Sequence, residues 1–178
     1  MKRIIFICGI TAGLISSLWS IYGDHFLGKD VSLNARVWFG YASMVVAFSL
    51  IFIGVKNYRD QFGNGSISFG KALQIALLIT IIASTVYTVG WMINFYYFLP
   101  DFGEKYMAAM RAQLIAKGVS AAELNKQMAD MQAYMQQYKN PLYNAMATYA
   151  EILPVGITMS LLCALLLKRN AQVSTSNN

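Results

Sequence analysis

Four long apolar stretches dominate the chain, running roughly over 4–22, 37–55, 69–99 and 142–167. A helix needs about 20 predominantly apolar residues to cross roughly 30 Å of hydrocarbon. Inside lipid the backbone must satisfy its own polar groups, which favours helices. The expected fold is therefore all-α: a polytopic membrane protein of four transmembrane helices, forming one domain over 1–170. Residues 100–140, between the third and fourth stretches, are the one sizeable polar part and read as an extracytoplasmic helical hairpin. The small polar tail over 171–178 reads as disordered.

Composition and charge placement agree with this. Hydrophobic residues make up 57% of the 178 residues and charged residues only 12%, against about 25% charged in an ordinary soluble domain. The formal charge of +6 does not point to nucleic acid, because most Lys and Arg flank the apolar runs and hold helix ends. Lys2, Arg3, Lys56, Arg59, Lys71, Lys168 and Arg169 fall on one side. The first loop on the other side carries Lys29 and Arg36 against Asp24 and Asp30. In the long polar segment Lys105, Arg111, Lys117, Lys126 and Lys139 are nearly cancelled by Asp101, Glu104, Glu123 and Asp130. Positive flanks mark the cytoplasmic side, so both termini are expected there. Trp19, Tyr22, Trp38, Tyr41, Trp91, Tyr96, Tyr97, Tyr143 and Tyr149 collect at the other ends of the stretches, as interfacial aromatics do. Met1-Lys2-Arg3 before an apolar run resembles a signal peptide. The run reaches Tyr22 without a small-x-small site, so it is expected to be an uncleaved first span.

Local signals set the helix ends. Ser68 is placed to cap the third span. A helix over 104–117 ends at Gly118, a common C-terminal residue. Ser120-Ala121-Ala122-Glu123 is a capping-box pattern, and Leu124, Met128, Met131, Met135 and Tyr138 then recur at helical spacing. Pro141 falls at the first turn of the fourth span.

Chemistry-bearing residues are few. Glu151 lies ten residues past Pro141, near the outer lipid boundary, and a carboxylate there is normally paired or faces a cavity. Arg36 and Asn94 are at compatible depths, so Glu151, Arg36 and Asn94 form a candidate intramembrane polar cluster. Its functional reading is a proton-coupled or substrate site; its structural reading is an interfacial pair that fixes packing. Pro154 and Gly156 follow within the same span and can loosen it. Gly9, Gly13 and Ser17 put small residues on one face of span one, and Thr80, Ser84 and Thr88 do the same for span three. Such faces let helices approach closely. Cys8 and Cys163 read as small buried hydrophobes. His25 beside Asp24 offers too few ligands for a metal site or partners for a triad. No catalytic, cofactor-binding or metal-binding set is expected.

Four segments carry a family resemblance: Phe52-Ile53-Gly54-Val55-Lys56-Asn57-Tyr58-Arg59-Asp60, Ile67-Ser68-Phe69-Gly70-Lys71-Ala72, Asp101-Phe102-Gly103-Glu104-Lys105-Tyr106 and Glu151-Ile152-Leu153-Pro154-Val155-Gly156. With them the chain resembles a family of four-span integral membrane proteins from the Bacteroidetes, a domain-of-unknown-function family. The resemblance implies a bacterial inner membrane and imports no activity. The expected role is a non-enzymatic scaffold or accessory subunit. Its partners are the lipid bilayer and a second copy or another membrane protein. The alternative is a small transporter or channel protomer that uses Glu151.

Overall fold

The computed structural model describes residues 2–27 and 31–169, without the side chains of residues 24–27 and 33. The tail and the His25 side chain thus lie outside the described residues. Helix α1 is Lys2–Leu27, α2 Leu33–Phe48, α3 Leu50–Phe62 and α4 Phe69–Ile93, extended by a π-helical turn over Asn94–Phe98. Helix α5 is Phe102–Ala116, α6 Ala121–Tyr138 and α7 Pro141–Leu167. Four segments are long and apolar enough to cross a membrane: Lys2–Gly23, Asn34–Phe62, Phe69–Phe98 and Pro141–Leu167. The chain is an all-α membrane protein.

The helix ends follow from the residues there. Ser68 Oγ accepts from Lys71 N at 3.3 Å and Ser120 Oγ from Glu123 N at 3.3 Å. Asn140 Oδ1 accepts from Leu142 N at 2.9 Å, with Pro141 opening α7. Each side-chain oxygen satisfies a donor that has no partner in the first turn. Gly118 turns out of α5 at φ +70°, a conformation that a side chain disfavours. Only half of the capping box forms, because the Glu123 carboxylate accepts from Gln127 Nε2 at 2.7 Å.

Two features depart from straight spans. The second span is interrupted at Ser49, between α2 and α3. Its N–H is shared between the carbonyls of Val45 and Val46, and its Oγ donates to Val46 O at 2.6 Å. A serine bonding back to its own helix bends it. The third span ends in a wide turn, with Leu99 N donating to Asn94 O at 3.0 Å.

Helix α4 is the hub, packing most extensively against α1 and α7. Its buried side chains include Ala72, Ala76, Thr80, Ala83, Ser84 and Thr88. The larger apolar residues Leu14, Leu18, Val46, Ile81, Val89 and Leu161 point outward. Small residues let α4 approach its neighbours closely, as packing in lipid favours, and Ile75, Ile79 and Tyr87 of the same helix fill the space between them. Bulky apolar packing persists where α2 and α3 close the bundle, through fully buried Phe48, Ile51, Val55 and Ile152. Cys8 and Cys163 are free, buried thiols of the same core.

Candidate functional site

A polar seam runs along the contact of α4 and α7. Thr80, Ser84 and Thr88 share one face of α4 at four-residue spacing, and Asn94 lies beyond them in the wide turn. Helix α7 buries Asn144, Thr148, Ile152, Gly156 and Ser160 at the same spacing. One end is joined: Thr80 Oγ1 and Ser160 Oγ are 2.8 Å apart, and both reach Gly156 O, at 3.3 and 2.8 Å. At the other end Thr148 Oγ1 donates to Asn144 O at 2.8 Å, and Asn144 Nδ2 to Tyr138 O at 3.4 Å. Between and beyond these, Ser84 Oγ, Thr88 Oγ1, Asn94 Nδ2 and Asn144 Oδ1 are buried without a hydrogen-bond partner among the described residues. Each such group costs about 1–3 kcal/mol, so the seam concentrates an unfavourable term in the middle of the bundle.

An aromatic cluster closes the seam where α5 and α6 meet the spans. Phe95 stands edge-on to Phe102 and Tyr138, with ring centroids 5.7 and 5.3 Å away, and Trp91 is edge-on to Phe102 at 5.4 Å. Trp91 Nε1 donates to the Tyr138 hydroxyl at 2.8 Å. Tyr134 packs on Tyr138 and Tyr143, at 5.6 and 6.0 Å. The apolar stripe of α6 faces this cluster and α5, with Met135 and Tyr138 buried. Interfacial aromatics therefore divide: Trp38 and Tyr97 face outward, while Trp91, Phe95 and Tyr138 tie α4 to α6.

Partial burial of Tyr134, which remains 39% exposed, pushes its phenol up to about 12, with the Tyr138 and Tyr143 phenols and the Glu151 carboxylate adding to it. Burial also raises Tyr138, against the hydrogen bond from Trp91. The folded Tyr134 value lies above the ordinary value of 10.0. Its contribution to stability is therefore complete below pH 10 and is lost as the pH rises toward about 12. The melting temperature is expected to fall across that window in step with tyrosinate absorbance. Tyr134→Phe should flatten the fall, and an unchanged profile would refute the assignment.

Glu151 is exposed on the side of α7 and makes no hydrogen bond or ion pair among the described residues. Arg36 donates from Nε to Val31 O at 3.2 Å, and Asn94 is buried at 2% exposure. No hydrogen bond or ion pair joins Glu151 to either. The groups within its electrostatic reach are phenols, those of Tyr87, Tyr134 and Tyr138.

The two small-residue faces meet different neighbours. Gly9 lies against Ile82, Gly13 against Val86 and the Ala83 carbonyl, and Ser17 against Gly90, so the face of α1 packs on α4. Ser17 Oγ donates to Gly13 O at 2.8 Å. Thr80, Ser84 and Thr88 turn toward α7. The seam partners Asn144, Thr148 and Ser160 escaped the sequence reading, which took Gly156 only as a residue that loosens the span, although their four-residue spacing in an apolar span was a readable signal.

A family model described as a protein of unknown function, DUF4199, matches residues 7–169. The chain belongs to this family. The DUF4199 match takes in the seam, the aromatic cluster and Glu151. No curated protein and no solved structure matches the chain.

Proposed function

We propose that this protein is a non-enzymatic scaffold or accessory subunit of a bacterial inner membrane, with both termini cytoplasmic and α5–α6 forming an outer hairpin. It holds another membrane protein against the face of α7 that carries Glu151. The observation behind this reading is the carboxylate itself. Glu151 lies about 15 Å along α7 from Pro141, within a segment apolar enough to span the membrane, and is exposed without a hydrogen-bond or ion-pair partner among the described residues. A carboxylate within a spanning segment is costly and is normally paired or faces a cavity. A partner helix offering a basic or hydrogen-bonding group at that depth removes the cost. Thr158, exposed two turns further along α7, extends the polar track on the same side. The seam between α4 and α7 is closed to solvent and offers one protomer no conduit.

A second reading, a small transporter or channel protomer using Glu151, draws on the Ser84, Thr88, Asn94 and Asn144 atoms buried in the seam without a partner among the described residues. Photo-crosslinking in native membranes separates the two. A photoreactive residue replacing Thr158 is expected to give one discrete adduct with a different membrane protein, lost in a Glu151→Leu background. An adduct between two copies of this chain favours the transporter reading. Labelling of lipid alone sinks the accessory role.

A further inference from the structure

At the end of the bundle away from α5–α6, the loop between α3 and α4 is fixed in place. Asn64 and Gly65 adopt left-handed conformations, φ 46° and 79°. Ser66 bonds to Gly63 O through both its N–H and its Oγ, each at 2.8 Å. Ile67 and Arg169 exchange two backbone hydrogen bonds, at 2.8 and 2.9 Å, in an isolated antiparallel bridge. The bridge ties the residues after α7 to the start of α4 and leaves a cavity of about 380 Å³. Its walls include Tyr58, Phe62, Ser66, Ser68, Lys71 and Arg169.

The charge around this cavity is one-sided. Lys71 and Arg169 line it. Lys56, Arg59 and Arg169 all act on Asp60, which is the one carboxylate there among the described residues and is held by Arg59 Nε at 2.8 Å. Among the described residues Lys71 Nζ contacts neutral groups, Gln74 Oε1 at 3.1 Å and the Tyr58 ring at 6.0 Å. The first turn of α4 opens beside it, behind the Ser68 cap, and adds the positive end of a helix dipole. Apolar rings flank the cations: Tyr58 stacks on Phe62 at 5.4 Å, and Phe62 and Phe69 are exposed. Cations above, apolar rings beside and spanning helices below is the profile of a lipid headgroup level.

We infer that this cavity binds the phosphate group of an anionic phospholipid, with Lys71 and Arg169 as its ligands. The bridge positions Arg169, and the apolar rings border the glycerol and acyl portion. The site is independent of the Glu151 face and of any partner there. The test uses full-length protein in nonionic detergent, titrated with phosphatidylglycerol, phosphatidylcholine or inorganic phosphate while its melting temperature is followed. Phosphatidylglycerol is expected to stabilise it and phosphatidylcholine not. Lys71→Gln/Arg169→Gln should weaken the phosphatidylglycerol response on the order of thirtyfold, about fivefold for each cation removed. Lys117→Gln/Lys126→Gln, which removes the same charge from the α5–α6 end, should leave it unchanged. An equal response to inorganic phosphate assigns the site to soluble phosphate instead of lipid. Equal effects of the two lipids, or an undiminished response in the first variant, overturn the site. Should that variant fail to fold, salt decides: a phosphatidylglycerol effect on the wild-type protein that does not fall with ionic strength rules the site out.

Discussion

Replacing Gly13 with leucine forces α1 away from α4 and leaves little folded protein. A Cβ on Gly13 meets Val86 Cβ at 2.5 Å and the Ala83 carbonyl oxygen at 2.7 Å. One of those atoms belongs to helical backbone and cannot rotate aside. Even Gly13→Ala requires α1 to shift, and leucine adds a branched group where there is no room. Overpacking of a tight core costs about 1–3 kcal/mol and sometimes more, and Gly13→Leu falls at or above the top of that range. Gly40→Ala is the counter-case, because nothing lies within 4 Å of a Cβ there. It sits inside α2, where exchanging glycine for alanine gains about 0.5–1 kcal/mol. Thermal unfolding of helicity in detergent checks both. A Gly13→Leu protein that melts with the wild type would show that α1 does not dock as described.

The contrast between those glycines shows what a sequence carries and what it withholds. The four spans were legible because a spanning helix needs only length and apolar content, both local properties. The caps at Ser68 and Ser120 were legible for the same reason: each side chain bonds a backbone group three residues away. The close-packing role of Gly9 and Gly13 could be read from spacing, but their neighbour could not. Nothing local distinguishes Gly13, which is crowded, from Gly40, which is open. Ser49 and the Asn94–Phe98 turn were hidden too, since neither carries the proline or glycine that usually marks a break. At the candidate site, sequence depth placed Glu151 beside Arg36 and Asn94. The fold instead leaves Glu151 exposed on α7 and buries Asn94. Depth fixes height along a span, whereas only packing fixes the angle around it.

That angle gives the buried seam a property with a measurable sign. Thr80 and Thr88 lie two turns apart on the same face of α4, and both are almost fully buried. Thr80 Oγ1 is bonded across to Ser160, but Thr88 Oγ1 has no partner. Valine matches the shape of threonine and removes only the hydroxyl. Thr80→Val therefore loses an interhelical hydrogen bond, worth about 0.6 kcal/mol on average between membrane helices and up to about 1.7. Thr88→Val removes a buried group that nothing satisfies, and a gain of about 1–3 kcal/mol is expected. One exchange made twice on one helix face should thus move stability in opposite directions. Paired unfolding curves in the same detergent read the difference, and a destabilised Thr88→Val protein would show that the hydroxyl is engaged. The same variant bears on function. If the seam works in transport, the stabilised Thr88→Val protein loses activity, as stabilised functional sites tend to. An accessory subunit that binds through the Glu151 face keeps its partner, because Thr88 lies inside the bundle and not on that surface.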